Sequence, residues 1–177
     1  MEKCYLCPRG CGVDREKETG VCGMHAAPVV ARAGVHLWEE PCISGERGSG
    51  TVFFSGCSLR CVFCQNDSIS WQRYGAVITV QRLRDIFWEL IEKGVHNINL
   101  VTPTHFAAAI AEALEQPLPV PVVYNSSGYE SVETLKMLEG KIQIYLPDMK
   151  YSDNEAAKIY SGAPDYFTRT SMAILEM

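Results

Sequence analysis

Four short apolar runs of strand character alternate with segments of helical character through the last two thirds of this 177-residue chain. The predicted strands are 51–55, 97–101, 121–124 and 142–146. The predicted helices are 80–91, 104–115, 132–139 and the tail from residue 152, with a break at 162–164. Such an alternation favours right-handed crossovers and a parallel sheet. The sequence therefore predicts an α/β fold, in which the long first crossover, 56–78, is expected to be functional.

All eight cysteines lie in the first 64 residues. One cluster is Cys4, Cys7, Cys11 and Cys22, a second is Cys57, Cys61 and Cys64, and Cys42 stands alone. The N-terminus lacks the apolar stretch of a signal peptide, so we expect a cytoplasmic protein with reduced thiols. Clustered reduced thiols bind metals or carry out redox chemistry, whereas Cys42 is expected to be a buried small apolar residue.

Residues 1–48 are rich in cysteine, glycine and charge, and are predicted to form a Cys-rich metal-binding module and linker, with 49–177 as the second domain. So short a segment buries little surface, so a metal is expected to stabilise it. Its four cysteines suit either zinc or a second 4Fe–4S cluster. This closed site is expected to have a structural or electron-relay role that is separable from the rest of the chain. Three basic residues, Arg9, Arg15 and Lys17, are expected to lower its thiol pKa values.

Polar residues follow each of the four predicted strands. They are the second cysteine cluster after the first strand, 102–105 after the second, 125–128 after the third, and Asp148 and Lys150 after the fourth. In parallel α/β folds the carboxyl ends of the strands form one rim, where functional groups gather. Loops are polar in any case, but the thiols lie on the same rim, and we therefore expect a functional site there.

The spacing Cys57-x3-Cys61-x2-Cys64 places three thiols within eight residues, directly after a strand. Structural zinc favours four ligands, and an iron–sulfur cluster also usually takes four cysteines. Three ligands leave one iron of a cubane open for a small molecule. The alternative is three buried structural thiols, which this spacing directly after Gly56 disfavours.

The segment Gly56–Asn66 resembles the cluster loop of radical S-adenosylmethionine (SAM) enzymes, including the aromatic Phe63 before the last cysteine. A longer pattern is similar to pyruvate formate-lyase activating enzyme. It comprises 4–11 (CYLCPRGC), 39–45 (EEPCISG) and 97–105 (NINLVTPTH). The resemblance extends over nearly the whole chain, and its loop motif is specific for the superfamily.

The resemblance implies that Cys57, Cys61 and Cys64 hold a 4Fe–4S cluster whose open iron is chelated by SAM. One electron then cleaves SAM to methionine and a 5′-deoxyadenosyl radical, which in activating enzymes removes hydrogen from a glycine of a partner enzyme. The implied partners are a flavodoxin or ferredoxin as reductant and a protein as substrate, without nucleic acid or membrane.

Seven further residues are candidate cofactor contacts by the same resemblance. They are Phe63, Thr102, Thr104, Asn125, Ser127, Asp148 and Lys150. Where the family usually has Gly-Gly-Glu, this chain has 102–104 (TPT), so hydroxyl or carbonyl groups are the candidate contacts of the SAM amine. Asp148 is expected near the sulfonium or amine of SAM, and Lys150 near its carboxylate. The alternative for this pair is a solvated ion pair on a loop.

The composition argues against two other classes of protein. The chain has 16 Lys and Arg against 21 Asp and Glu, a net charge of −5, which argues against a zinc-knuckle module for RNA. No apolar run is long enough to span a membrane. The remaining rival is an iron–sulfur electron-transfer or scaffold protein without SAM chemistry.

The number of predicted strands indicates an incomplete barrel. The family's barrel has about six βα units, at roughly 25–30 residues each, and this sequence contains four. We therefore expect a partial (β/α) barrel of the radical SAM type, apparently truncated, whose last strand has an exposed edge that favours self-association. A fragment of a longer protein is preferred over a partner subunit that covers this edge.

Overall fold

The computed structural model describes residues 3–177, which form one six-stranded sheet flanked by helices. The strands are β1 (Val29–His36), β2 (Ser49–Phe54), β3 (Ala76–Val77), β4 (Ile98–Val101), β5 (Val122–Ser126) and β6 (Ile144–Pro147). The helices are α1 (Pro41–Ser44), α2 (Asp67–Ser70), α3 (Val80–Glu92), α4 (Ala107–Ala113), α5 (Val132–Met137), α6 (Asn154–Ser161) and α7 (Tyr166–Glu176), with a 3₁₀ turn at Thr104–Phe106. The order across the sheet is β3-β1-β2-β4-β5-β6.

The strands β2, β4, β5 and β6 run parallel to one another. Leu100 in β4 pairs with Val52 in β2 and with Tyr124 in β5, and all three residues are buried. Continuous apolar strands of this kind are typical of parallel sheets that are covered on both faces. The predicted α/β class and the predicted parallel order of these four strands are confirmed.

The antiparallel strands β1 and β3 were not predicted. β1 lies inside the region that the sequence assigns to the N-terminal module and linker, yet it pairs with β2 from Val30 to His36. On its other side β1 pairs with β3 through Val29 and Val30. The sheet therefore reaches further toward the N-terminus than the local apolar pattern indicates.

The helix boundaries follow the predicted signals at α3 and in the tail, but not at α4 and α5. The predicted helix 104–115 begins as a 3₁₀ turn and ends at Ala113. Thr79 caps α3 by accepting from the Arg82 amide at 3.1 Å. Ser131 makes no such capping bond, because its hydroxyl donates to Glu133 at 2.6 Å instead, and α5 ends two residues before the predicted end. The tail breaks at Gly162, whose left-handed φ of 60° ends α6. Within residues 3–177, no helix has both the length and the apolar character needed to cross a membrane.

The main core lies between the sheet and the helices α3 and α4, with Leu83, Phe87 and Ile110 fully buried. Each such side chain stabilises the fold by about 1.5–3 kcal/mol. A smaller cluster packs Leu59 and Cys61, from the loop after β2, against tyrosines of the C-terminal half. This second cluster fixes the position of the cysteine loop.

The other face of the sheet carries Thr51, Asn99 and Val123, which are also buried. These residues lie side by side in neighbouring strands. In the part of the chain that the structure describes, the sheet is open, with β3 and β6 as its edges. This architecture is compatible with the predicted partial barrel, but the described strands do not close one.

Candidate metal centre and cofactor site

The cysteine loop leaves the carboxyl end of β2 through Gly56, whose φ is 78°. A Cβ at this position would lie 2.5 Å from Met24 Cγ and 2.7 Å from the carbonyl oxygen of Cys22. Glycine is therefore needed for residues 22–24 to pack against the loop. The Cys57 amide donates to the same Cys22 carbonyl at 3.4 Å, so the two cysteine clusters are in backbone contact.

The thiols of the loop lie close enough for Cys61 and Cys64 to act on Cys57. Burial raises the pKa of Cys57 to about 11, and negative charge on Cys61 and Cys64 contributes to this rise. Two donors point at sulfur: the Arg60 amide lies 3.5 Å from Cys57 Sγ, and the Ser70 hydroxyl lies 3.2 Å from Cys64 Sγ. Thiolates in this position repel one another, and a bound cationic group would stabilise them.

The chemistry of these donors fits an iron–sulfur cluster. Hydrogen bonds to the ligand sulfur atoms help to set the reduction potential of such clusters. A zinc ion, with Zn–S bonds of about 2.3 Å, needs its ligands within about 4 Å of one another. Among residues 3–177, no group of three or more His, Cys, Asp or Glu side chains is placed to hold a metal ion. The three soft thiols of the loop, with N–H and O–H donors beside two of their sulfur atoms, fit the ligand chemistry of an iron–sulfur cluster.

Two of the N-terminal thiols, those of Cys11 and Cys22, lie close together. A Cβ at Gly20 would lie 3.2 Å from Cys11 Sγ and 3.5 Å from Cys22 Sγ, so both sulfur atoms face one small space. Burial raises the pKa of Cys7 to about 12. Burial also raises the pKa of Cys22, although the charge of Arg15 opposes this. The expected lowering of these thiol pKa values by arginine is therefore outweighed by burial.

Cys42 is exposed, and the expectation that it is buried is wrong. It lies in the single turn of α1, which buries the next two residues, Ile43 and Ser44, and leaves Cys42 on the solvent side. This cysteine belongs to neither cluster.

Arg9 ties the N-terminal module to the cysteine loop. Its guanidinium donates to the carbonyls of Ser58 at 2.7 Å and Leu59 at 3.0 Å, both within the loop. It also donates to the carbonyls of Ser161, at 2.6 Å, and Gly162 at the end of α6. The module that the sequence treats as separable is thus bonded to two other parts of the fold.

The predicted rim brings the ends of three parallel strands together. The Thr102 amide donates to the Asn125 carbonyl at 2.9 Å, and the Asp148 amide donates to the Ser126 carbonyl at 2.8 Å. Thr102 has a positive φ of 59°, unusual for a branched residue and a sign of strain at this strand end. Several candidate cofactor contacts are therefore neighbours.

Asp148 and Lys150 form an exposed ion pair with each other. The Lys150 amide donates to the Tyr166 hydroxyl at 2.8 Å, and that hydroxyl donates to the Ser127 carbonyl at 2.7 Å. Tyr166 thus holds two predicted rim segments together. In this arrangement the pair corresponds to the solvated alternative, and its contact with SAM stays a prediction.

Two other candidates have side chains that are already engaged. The Thr104 hydroxyl is buried and donates to Glu130 at 2.6 Å. Phe63 is exposed and packs edge-on against Tyr151, with ring centroids 5.8 Å apart. Neither contact tests whether these residues meet a cofactor.

Glu130 is a buried carboxyl that sequence reasoning missed. It accepts from Thr104 and, at 3.0 Å, from the Tyr124 hydroxyl. Burial raises the pKa of Glu130 to about 7, against the effect of these hydrogen bonds. In the sequence it looks like an ordinary residue before the helix α5, because its partners come from the 3₁₀ turn after β4 and from β5.

Glu39 is a second missed carboxylate, on the opposite face of the sheet. Its Oε2 accepts from the side-chain amide of Asn99 at 2.7 Å and from that of Asn125 at 3.4 Å. Glu39 lies in the segment 39–45 that carries part of the resemblance, but nothing local singles it out. Asn125, a predicted cofactor contact, is therefore already bound by a residue from before β2.

His105 is buried beneath the rim. Its ring Nε2 donates to the Ser55 carbonyl at 2.7 Å. Burial lowers the pKa of His105 to about 4, so the ring is neutral near pH 7. This bond anchors the end of β2 just before the cysteine loop.

The chain is similar to known proteins over the region that contains this site. Residues 51–169 match the family model of the radical SAM superfamily. The chain is also 32% identical over 176 residues to an uncharacterized protein of Methanocaldococcus jannaschii. That alignment covers 94% of this chain and 51% of the relative, so the chain spans about half the length of the curated relative it matches. No solved structure matches the chain significantly.

Proposed function

The chain belongs to the radical SAM superfamily, and on that premise we propose that it cleaves SAM at a 4Fe–4S cluster held by Cys57, Cys61 and Cys64. The cluster, when bound, supplies the electron that splits SAM into methionine and a 5′-deoxyadenosyl radical. The observation that carries the proposal is the loop after β2, which holds three cysteines within eight residues inside the matched region. An iron–sulfur protein without SAM chemistry usually has a fourth cysteine ligand, and the loop offers three.

The rim residues are proposed to bind and orient SAM. Thr102 and Asn125 are joined through their backbones. Thr102 offers its hydroxyl, Ser127 offers another, and Asn125 offers its side-chain carbonyl oxygen, because its side-chain nitrogen donates to Glu39. Asp148 would attract the sulfonium or amine of SAM, and Lys150 its carboxylate. Their present ion pair is exposed, and such pairs contribute only about 0–1 kcal/mol, so a charged ligand can replace it at little cost.

The other two candidates are assigned more limited roles. Because Glu130 holds the hydroxyl of Thr104, we assign to Thr104 a backbone contact with SAM. Phe63, which packs on Tyr151 at the edge of the loop, is assigned to shielding the cluster from water.

We infer a second metal site for the four N-terminal cysteines, with zinc or a second iron–sulfur cluster as occupant. The support is the burial of the thiols of Cys7 and Cys22 and the common space around the sulfur atoms of Cys11 and Cys22. The contacts of Arg9 with the loop favour a structural role for this site. An electron-relay role would use the backbone contact between Cys22 and Cys57.

We propose further that the radical acts on a protein, as in activating enzymes of glycyl-radical enzymes, and that a flavodoxin or ferredoxin is the reductant. The support is the longer resemblance over 4–11, 39–45 and 97–105. The relative from Methanocaldococcus jannaschii is itself uncharacterized and about twice as long, so substrate and partner are both part of the proposal.

The test is the formation of 5′-deoxyadenosine from SAM by anaerobically iron-loaded protein with dithionite. Cys61→Ala should abolish product formation, because it removes one of three ligands. Cys42→Ala is the matched control, since Cys42 is exposed and outside both clusters. Equal turnover by Cys61→Ala and the unaltered protein would contradict the ligand assignment.

A further inference from the structure

A shallow groove of about 300 Å³ runs along the outer side of the cysteine loop. We call it the Trp71 groove. Its walls come from the N-terminal module, the loop and α6, and include Val21, Arg60, Val62, Trp71, Ile159 and Tyr160. Among residues 3–177, its lining includes none of the candidate SAM contacts of the rim. A molecule in the groove would therefore leave the proposed SAM site free.

Trp71 connects this groove to the thiols. Its indole N–H donates to the carbonyl of Cys61 at 3.2 Å. The preceding residue, Ser70, donates its hydroxyl to Cys64 Sγ at 3.2 Å. Arg60, from the middle of the loop, stacks its guanidinium 4.0 Å from the centre of the indole ring. A molecule in the groove thus touches side chains that are one hydrogen bond or one residue from the proposed cluster ligands.

The groove is both apolar and cationic. Val62 is 65% exposed and Ile159 is 69% exposed, and Tyr160 adds an accessible aromatic ring. Exposed apolar patches mark interaction sites, and protein interfaces are enriched in aromatic residues and arginine. Arg9 and Arg60 line the groove, and the described lining contains no Asp or Glu. The exposed Arg73 follows Trp71 by two residues and donates to the carbonyl of Gly23 at 3.3 Å. On a chain of net charge −5 this local positive patch favours an acidic partner.

We propose that the Trp71 groove docks a small acidic one-electron carrier protein, which delivers its electron to the cluster from this side of the loop. The inference rests on the proposed function, because only a loop that holds a cluster needs a reductant. One electron leaves the reduced carrier, which is thereby oxidised, and it breaks the bond between the sulfonium and the 5′-carbon of SAM. Methionine leaves with a neutral thioether, and the unpaired electron stays on the carbon.

The size of the groove agrees with a carrier that binds briefly. Redox partners form small interfaces, below about 1,200 Å² in total, with modest affinity. Their association depends on complementary charge, which is screened by salt. A patch of a few apolar side chains with arginines beside them therefore suits a transient acidic partner.

Two substitutions test the docking and leave every cysteine in place. Ile159→Asp puts a negative charge into the apolar wall, and Arg73→Glu reverses the charge of the exposed arginine two residues after Trp71. Leu175→Asp and Lys136→Glu make the same chemical changes at exposed positions outside the groove. The probe is reduced flavodoxin. Its dissociation constant is measured anaerobically at low and high salt, and SAM cleavage is driven in parallel by flavodoxin or by dithionite.

Both groove variants should bind flavodoxin at least about tenfold more weakly, a difference of about 1.4 kcal/mol. Flavodoxin-driven cleavage should fall with binding, while dithionite-driven cleavage and both control variants stay at the level of the unaltered protein. Binding by the unaltered protein should weaken at high salt.

Unchanged flavodoxin binding in both groove variants would overturn the docking proposal, and so would the absence of binding by the unaltered protein. An equal loss of dithionite-driven cleavage would also overturn it, because the substitutions would then act on the loop itself. If dithionite drives no cleavage by the unaltered protein, the proposed function fails separately, and the binding comparison still decides the docking.

Discussion

Replacing Arg9 should destabilise the protein more than replacing any exposed arginine, because its guanidinium joins three parts of the chain. It donates to the carbonyls of Ser58 at 2.7 Å, Leu59 at 3.0 Å and Ser161 at 2.6 Å, and also to that of Gly162. Hydrogen bonds from a charged donor contribute about 1.5–3 kcal/mol each when well protected. Three of these bonds are only partly buried, so we take about 1 kcal/mol for each and expect Arg9→Ala to cost about 3 kcal/mol.

Thermal unfolding of the full chain, followed by circular dichroism, measures this loss. For a domain of this size about 3 kcal/mol corresponds to a Tm lower by about 6–12 °C. Arg9→Lys keeps the charge but cannot reach all four carbonyls, so it should recover only part of the loss. Arg169→Ala is the matched control, since this exposed arginine pairs with Asp165, and it should cost less than about 1 kcal/mol. Equal Tm values for Arg9→Ala and Arg169→Ala would refute the reasoning.

Three further predictions concern substitutions of Cys7, Glu130 and Gly56. Cys7→Ala should increase hydrogen exchange of the amides in 57–64, because the turn that contains Cys7 carries Arg9 to the loop; unchanged exchange would show that the two cysteine clusters are independent. Burial raises the pKa of Glu130 from 4.5 to about 7 in the folded protein. The protonated carboxyl therefore stabilises the fold fully below pH 4.5, and this stabilisation is lost as the pH rises through about 7. That loss is about 3 kcal/mol, and Glu130→Gln should flatten the stability profile between pH 4.5 and about pH 7, whereas a profile parallel to that of the unaltered protein would count against it. Gly56→Ala should destabilise the loop far more than Gly94→Ala, because both glycines have φ near 80° but only a Cβ at Gly56 would collide with other atoms; equal denaturation midpoints for the two variants would exclude this explanation.

The strands that the sequence predicts well are those with a local signal. β2, β4 and β5 are short apolar runs bounded by turn residues, and the helices between them begin and end near recognisable caps such as Thr79. β1 lacks such a signal, because several of its side chains are exposed and its second partner, β3, follows 40 residues later. Pairing between distant antiparallel segments is set by tertiary packing, which a single local pattern does not contain.

The candidate site likewise contains residues that a local sequence pattern predicts and residues that it does not. Thiol spacing is visible in the sequence, because metal chemistry requires several cysteines close together along the chain. The sequence does not predict the contacts of Arg9, Glu39 and Glu130. Arg9 bonds to Ser161, and Glu39 to Asn125, only because the fold brings these distant parts of the chain together. A carboxylate that becomes buried looks the same in the sequence as one that stays in solvent. Burial also explains the thiol pKa values of the N-terminal module, which neighbouring charges alone do not predict.

The most direct measurement is the electron paramagnetic resonance spectrum of reduced, anaerobically iron-loaded protein, recorded without and with SAM. If Cys57, Cys61 and Cys64 hold a cluster with one open iron, the unaltered protein and Cys42→Ala should both give a 4Fe–4S signal whose g values shift when SAM is added. Cys61→Ala should lose that SAM-sensitive signal. A cluster signal in the unaltered protein that SAM leaves unchanged would contradict SAM binding at the loop and would favour an iron–sulfur protein without SAM chemistry.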